Sequence, residues 1–88
     1  MSVDNMGSYE KMLKRIMKTP TVKDIMPNEL QSFLEHYGFR LKRVNGDHFI
    51  YQYPTSVKTF MLNIPMQKPV KPTYIDQVRD TILEIEGE

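Results

Sequence analysis

Asn45-Gly46 divides two stretches in which apolar and polar residues alternate, and that juncture constrains the fold more than any other feature of the chain. Both residues tolerate positive φ, which the tight turn of a β-hairpin demands. Before the turn, Phe39 to Val44 sets Phe39 and Leu41 on one side and Arg40 and Lys42 on the other, predicting a half-buried strand with a cationic outer face. After it, His48 to Tyr53 alternates Phe49, Tyr51 and Tyr53 against His48, Ile50 and Gln52, and Pro54 ends the run. The aromatic set is the bulkier and is expected to face the core, which leaves His48 and Gln52 on an open face with the basic side chains of the first strand. Thr55–Lys58 connects to a third strand, Thr59–Ile64, with Phe60, Leu62 and Ile64 on one side. Two successive hairpins predict a three-stranded antiparallel meander.

Helical periodicity flanks the meander. Tyr9 to Lys18 repeats apolar residues at spacings of three and four (Tyr9, Met12, Leu13, Ile16, Met17), with Ser8 as its expected N-cap, Glu10 and Lys14 as an (i, i+4) pair and Pro20 beyond its end. Such a stripe serves either to pack on its own domain or to bind a partner. Thr19–Ile25 reads as a linker. A second helix is expected from Pro27, with Leu30, Phe33, Leu34 and Tyr37 inward, Gly38 as a left-handed C-cap and His36 off the stripe as a surface residue. Pro65–Val70 is a loop, and Pro72 opens a last helix whose Ile75, Val78, Ile82 and Ile85 trace one apolar line. The order α-α-β-β-β-α predicts an α+β fold with the helices flanking the meander on one face of the sheet.

Length and composition bound the function. A chain of 88 residues forms one domain. It has no cysteine, so disulfides, thiolate metal sites and cysteine nucleophiles are excluded. No metal-ligand cluster or phosphate-cradling glycine loop occurs in the sequence, so no cofactor is expected. No apolar run reaches the roughly 20 residues that span a bilayer, and Met1–Lys18 has no signal-peptide core, so a cytoplasmic protein without membrane partners is expected. Net charge is only +1, but it is unevenly spread. Residues 38–72 carry Arg40, Lys42, Arg43, Lys58, Lys68 and Lys71 against Asp47 alone, whereas residues 73–88 carry Arg79 against five carboxylates. A basic middle third suits a phosphate-bearing partner such as RNA; it equally suits a sheet edge kept soluble by charge.

His48 opens the second strand directly after the turn. An uncharged imidazole there can act as a general base, with arginine or lysine nearby to stabilise charge on a phosphate. Spacing alone is equally consistent with a histidine that hydrogen-bonds the turn.

Residues 27–83 resemble the HicA family, the ribonuclease toxins of HicAB toxin–antitoxin pairs. The resemblance runs through Glu29-Leu30, Leu34, Gly38-Phe39, Leu41, Arg43, Gly46-Asp47-His48 and Tyr51, then Pro54, Ile64-Pro65 and Lys71-Pro72 with Ile75 and Val78. It implies a double-stranded RNA-binding-domain-like fold, α-β-β-β-α, here with an extra N-terminal helix and linker (residues 1–26) ahead of a HicA-like domain (27–88), the whole forming a single compact unit. It also implies a translation-independent mRNA interferase in which His48 is the catalytic group, supported by Gly46 and Asp47. Arg40, Lys42, Arg43, Lys68 and Lys71 would then hold RNA by its backbone. The partners implied are mRNA and a HicB-like antitoxin that covers the active site, any oligomer forming through that complex.

The chain departs from the family pattern at three places. Asp47 stands where serine is usual; a carboxylate there can orient the imidazole or repel the scissile phosphate. Met66 and Gln67 occupy a region that often carries a further histidine. Met1–Lys18 extends beyond the short family pattern. Beside the ribonuclease reading stand a non-catalytic RNA-binding module and a protein-interaction domain on the same scaffold.

Overall fold

A computed structural model describes residues 7–88; the first part of the N-terminal extension, residues 1–6, lies outside the described residues. The elements run α1 (Ser8–Met17), α2 (Pro27–Tyr37), β1 (Arg40–Asn45), β2 (His48–Pro54), β3 (Thr59–Pro65) and α3 (Pro72–Glu86). The strands form one antiparallel sheet in the order β1-β2-β3. This is an α+β fold with the predicted element order. Among the described residues no helix is long and apolar enough to cross a membrane.

Local chemistry explains most boundaries. Pro27 and Pro72 occupy the first helical turn, where the missing N–H has no partner to lose. The Glu29 carboxylate accepts a hydrogen bond from the Met26 N–H at 2.9 Å, satisfying a donor at the start of α2. Gly38 ends α2 at φ +125, and a Cβ there would lie 3.0 Å from the Tyr53 ring, so both backbone and space require glycine. The start of α1 differs from expectation. Gly7, not Ser8, is the N-cap; Ser8 is already helical, and no side chain caps the end. Among the described residues Glu10 and Lys14 form no ion pair; the Glu10 carboxylate folds back against Gly7 at the start of the helix.

The core lies between the sheet and the helices. Phe60, Leu62 and Ile64 of β3 and Tyr51 of β2 are buried against Leu30, Phe33 and Leu34 of α2 and the predicted Ile75–Val78–Ile82–Ile85 line of α3. Burial pushes the Tyr51 hydroxyl up to about 12, with the negative charge of Glu35 adding to it, so the ring stays neutral in the core. Among the described residues no helix covers the other sheet face, where Thr59, Met61 and Asn63 of β3 are exposed.

β1 corrects the expectation of a half-buried strand: every residue in it is exposed. It is an edge strand that meets only α2 among the helices, so Leu41 and Val44 remain 45% and 50% exposed although they share the face of Tyr51 and Phe49. The alternation is also broken. Leu41 pairs Tyr51 and Arg43 pairs Ile50, so Lys42 is the extra residue of a β-bulge.

Thr19–Ile25, read from sequence as a linker, joins α1 to α2 without helix or strand and is anchored in the core at its last residue. Ile25 is fully buried, and its carbonyl accepts a hydrogen bond from the N–H of Val70, itself fully buried, at 2.8 Å. α1 packs on α2 and α3 rather than on the sheet, burying Met12 and Ile16. A ten-residue helix is marginal alone, so its persistence rests on this packing. Arg79 of α3 fastens its C-terminal end. The guanidinium donates to the carbonyls of Ile16 (3.2 Å) and Lys18 (3.1 Å), to Thr21 Oγ1 (3.3 Å) and to Asp76 (2.6 Å). A cation on those carbonyls matches the negative end of the α1 dipole.

The Thr21 hydroxyl also donates to Asp76. That hydrogen bond, followed by Arg79, holds the Asp76 carboxyl below its ordinary range. The folded-state value is the lower one, so the contribution is fully present above the unfolded carboxylate value of about 3.9 and vanishes as pH falls through the folded value. Asp76→Asn is therefore expected to lower Tm at neutral pH, with the gap to wild type closing towards acid. A gap that stays constant in thermal melts from neutral to strongly acidic pH would contradict this role.

Candidate active site

The hairpin that carries His48 turns one residue later than the Asn45-Gly46 signal predicts. Asn45 pairs with His48 across the ladder, so the loop is Gly46-Asp47. Gly46 has φ +64 and, among the described residues, no non-glycine residue has positive φ, which is the pattern of a type II′ turn with glycine first. A Cβ on Gly46 would meet nothing within 4 Å, so glycine is required there by φ alone. Asp47 is thereby placed at the tip of the turn and His48 at the first position of β2.

Register assigns the faces. Phe49, Tyr51 and Tyr53 pair with Ile64, Leu62 and Phe60 on the helix side. His48, Ile50 and Gln52 therefore lie on the bare side, as expected. Ile50 is only half-buried there, with Arg43 and Asn63 as its cross-strand neighbours.

His48 has its side chain about half exposed (49%) and two polar neighbours. Asn63 Oδ1 lies 3.0 Å from its Nδ1. Asp47 Oδ1 lies 3.7 Å from its Nε2, with the carboxylate itself 53% exposed. The Asp47 backbone is tied as well: its carbonyl accepts from the Met66 N–H at 2.8 Å, joining the turn to the loop that follows β3. Asn63 and Asp47 thus face opposite ring nitrogens of His48, Nδ1 and Nε2 respectively.

The predicted basic residues divide into two groups. Arg40, opposite Gln52, and Arg43, opposite Ile50, share the bare face with His48. Strict alternation would have placed Arg43 on the helix side; the bulge reverses that. Lys42, expected beside His48 on the outer face, is instead the bulge residue and pairs with nothing in β2. Lys68 and Lys71 are exposed in the connection that leaves β3 at Pro65, the residue paired with His48. Lys71 is the N-cap of α3, its carbonyl accepting from Tyr74 and Ile75. None of these five cations has a carboxylate partner among the described residues, whereas Lys58 is drawn to Glu84 (3.6 Å) and over the Phe60 ring.

Asn63 has no distinguishing mark in the sequence. It is one polar residue in an apolar strand, and its role depends on a neighbour 15 positions away. His36, the other histidine, is on α2 and stacks on Tyr9 at 4.2 Å. No group of three or more His, Cys, Asp or Glu among the described residues is arranged to hold a metal ion.

No family model, curated protein or solved structure matches the chain.

Proposed function

We propose that this chain is an endoribonuclease of the HicA type, an mRNA interferase whose partner is a HicB-like antitoxin. In this reading α2-β1-β2-β3-α3 is a double-stranded RNA-binding-domain-like scaffold and α1 is an addition to its helical layer. One observation carries the reading: His48 stands exposed on the sheet face that the helices leave bare, and Arg40 and Arg43 share that face.

In the reaction His48 removes the proton from a ribose 2′-OH. The 2′-oxygen forms a bond to the adjacent phosphorus, and the bond from phosphorus to the 5′-oxygen breaks. The leaving 5′-oxygen takes a proton from water, and the imidazolium returns its proton to solvent. The products are a 2′,3′-cyclic phosphate and a 5′-hydroxyl. Arg40 and Arg43 offset charge on the phosphate, while Lys42, Lys68 and Lys71 extend the basic field along the RNA backbone. The reaction needs no cofactor.

A non-catalytic RNA-binding module is the second reading, favoured by the Asp47 carboxylate 3.7 Å from the nitrogen that would face substrate. Incubating the purified chain with a synthetic RNA separates the two. The ribonuclease reading expects new ends bearing 2′,3′-cyclic phosphate and 5′-hydroxyl. Salt-sensitive binding without new ends would reject it in favour of the second.

A further inference from the structure

We propose that Asn63 is a positioning residue that selects the working tautomer of His48; this rests on the ribonuclease reading above. Asn63 belongs to the exposed set of β3, alternating with buried Leu62 and Ile64. It pairs Ile50, while His48 pairs Pro65, so Asn63 and His48 are diagonal neighbours on the bare face. Its Oδ1 lies 3.0 Å from His48 Nδ1. An amide oxygen only accepts, so Nδ1 must carry the hydrogen. A neutral imidazole has one N–H, and the lone pair is then on Nε2.

That placement has a chemical consequence. Free histidine in water favours the opposite tautomer, with the hydrogen on Nε2. Asn63 reverses the preference and presents Nε2 as the base. Asp47 Oδ1 lies 3.7 Å from Nε2, on the side of the ring opposite Asn63. Asn63 alone therefore fixes the resting ring through a hydrogen bond. An amide turned over, donating from Nδ2 to Nδ1, would leave the hydrogen on Nε2 and make the resting ring unable to accept a proton there.

Nitrogen-15 spectroscopy of the neutral His48 ring tests the assignment apart from activity. The wild type is expected to show Nδ1–H. Asn63→Ala is expected to shift the ring to Nε2–H, and Asn63→Asp, which keeps an acceptor oxygen, to retain Nδ1–H. In RNA cleavage, Asn63→Ala should lower kcat by about tenfold, the value of one ordinary hydrogen bond, with KM little changed. A wild-type ring in the Nε2–H form, or a tautomer unaffected by Asn63→Ala, would overturn the role of Asn63 even if RNA is cleaved. An Nδ1–H ring in a chain that cleaves no RNA would remove the ribonuclease reading and leave the tautomer assignment standing.

Discussion

Replacing His48 with alanine is expected to lower RNA cleavage by about 10²–10⁴, the range supplied by one general acid–base group. The fold should survive. His48 is half exposed at the end of β2, and it leaves no buried partner unpaired, since Asn63 is itself exposed. Surface substitutions of this kind usually change stability by no more than about 0.5 kcal/mol. Thermal unfolding beside a cleavage assay therefore separates loss of chemistry from loss of structure. His36→Ala is the control, because His36 stacks on Tyr9 in the helical layer. In cells, induced expression should arrest growth for the wild type and the His36 variant but not for His48→Ala. Cleavage at the wild-type rate by His48→Ala would refute the proposed mechanism.

Phe33→Ala is expected to cause the largest loss of stability, about 3–5 kcal/mol, the usual result of truncating a buried phenylalanine. Phe33 is 2% exposed and lies in a seam of rings that crosses the molecule. Its ring stacks on Tyr9 of α1 at 5.2 Å and on Tyr37 at 6.1 Å, and Tyr37 continues to Phe39 and Tyr53. Truncation removes the link between α1 and the rest of the seam. The surface ion pairs of Arg15 with Asp24 (2.6 Å) and Glu29 (3.6 Å) are too weak to replace it, since exposed pairs contribute about 0–1 kcal/mol. A domain of this class holds only about 5–15 kcal/mol in total, so a large fall in the denaturant midpoint should follow. A loss below about 1 kcal/mol, the level of a single surface contact, would show that the ring seam does not hold α1.

The two predictions test parts of the molecule that were not equally readable. The aromatic and aliphatic pattern marks both α2 and the buried side of β2, and spacing alone puts Phe33 inward. The same pattern placed His48 on the bare face. The turn before it was displaced by one residue, because Asn45 and Gly46 both accept positive φ while only the ladder decides which residues form the loop. β1 departs from its sequence pattern for a related reason. Alternation describes a regular strand, but Lys42 forms a bulge, and an edge strand that only α2 touches leaves even Leu41 exposed.

What the sequence determined by itself was local: periods of 3.6 and 2, helix ends at Pro27, Gly38 and Pro72, and a polar face bearing His48. These follow from backbone sterics and from apolar side chains recurring on one side of an element. Tertiary structure alone decided that Arg43 joins that face, that Asn63 meets the His48 ring, and that Arg79 reaches across 61 and 63 positions to the carbonyls at the end of α1. Each of these depends on register or on a hydrogen bond between distant residues. Neither leaves a periodic trace in the chain, because direction and distance are set only when the elements pack.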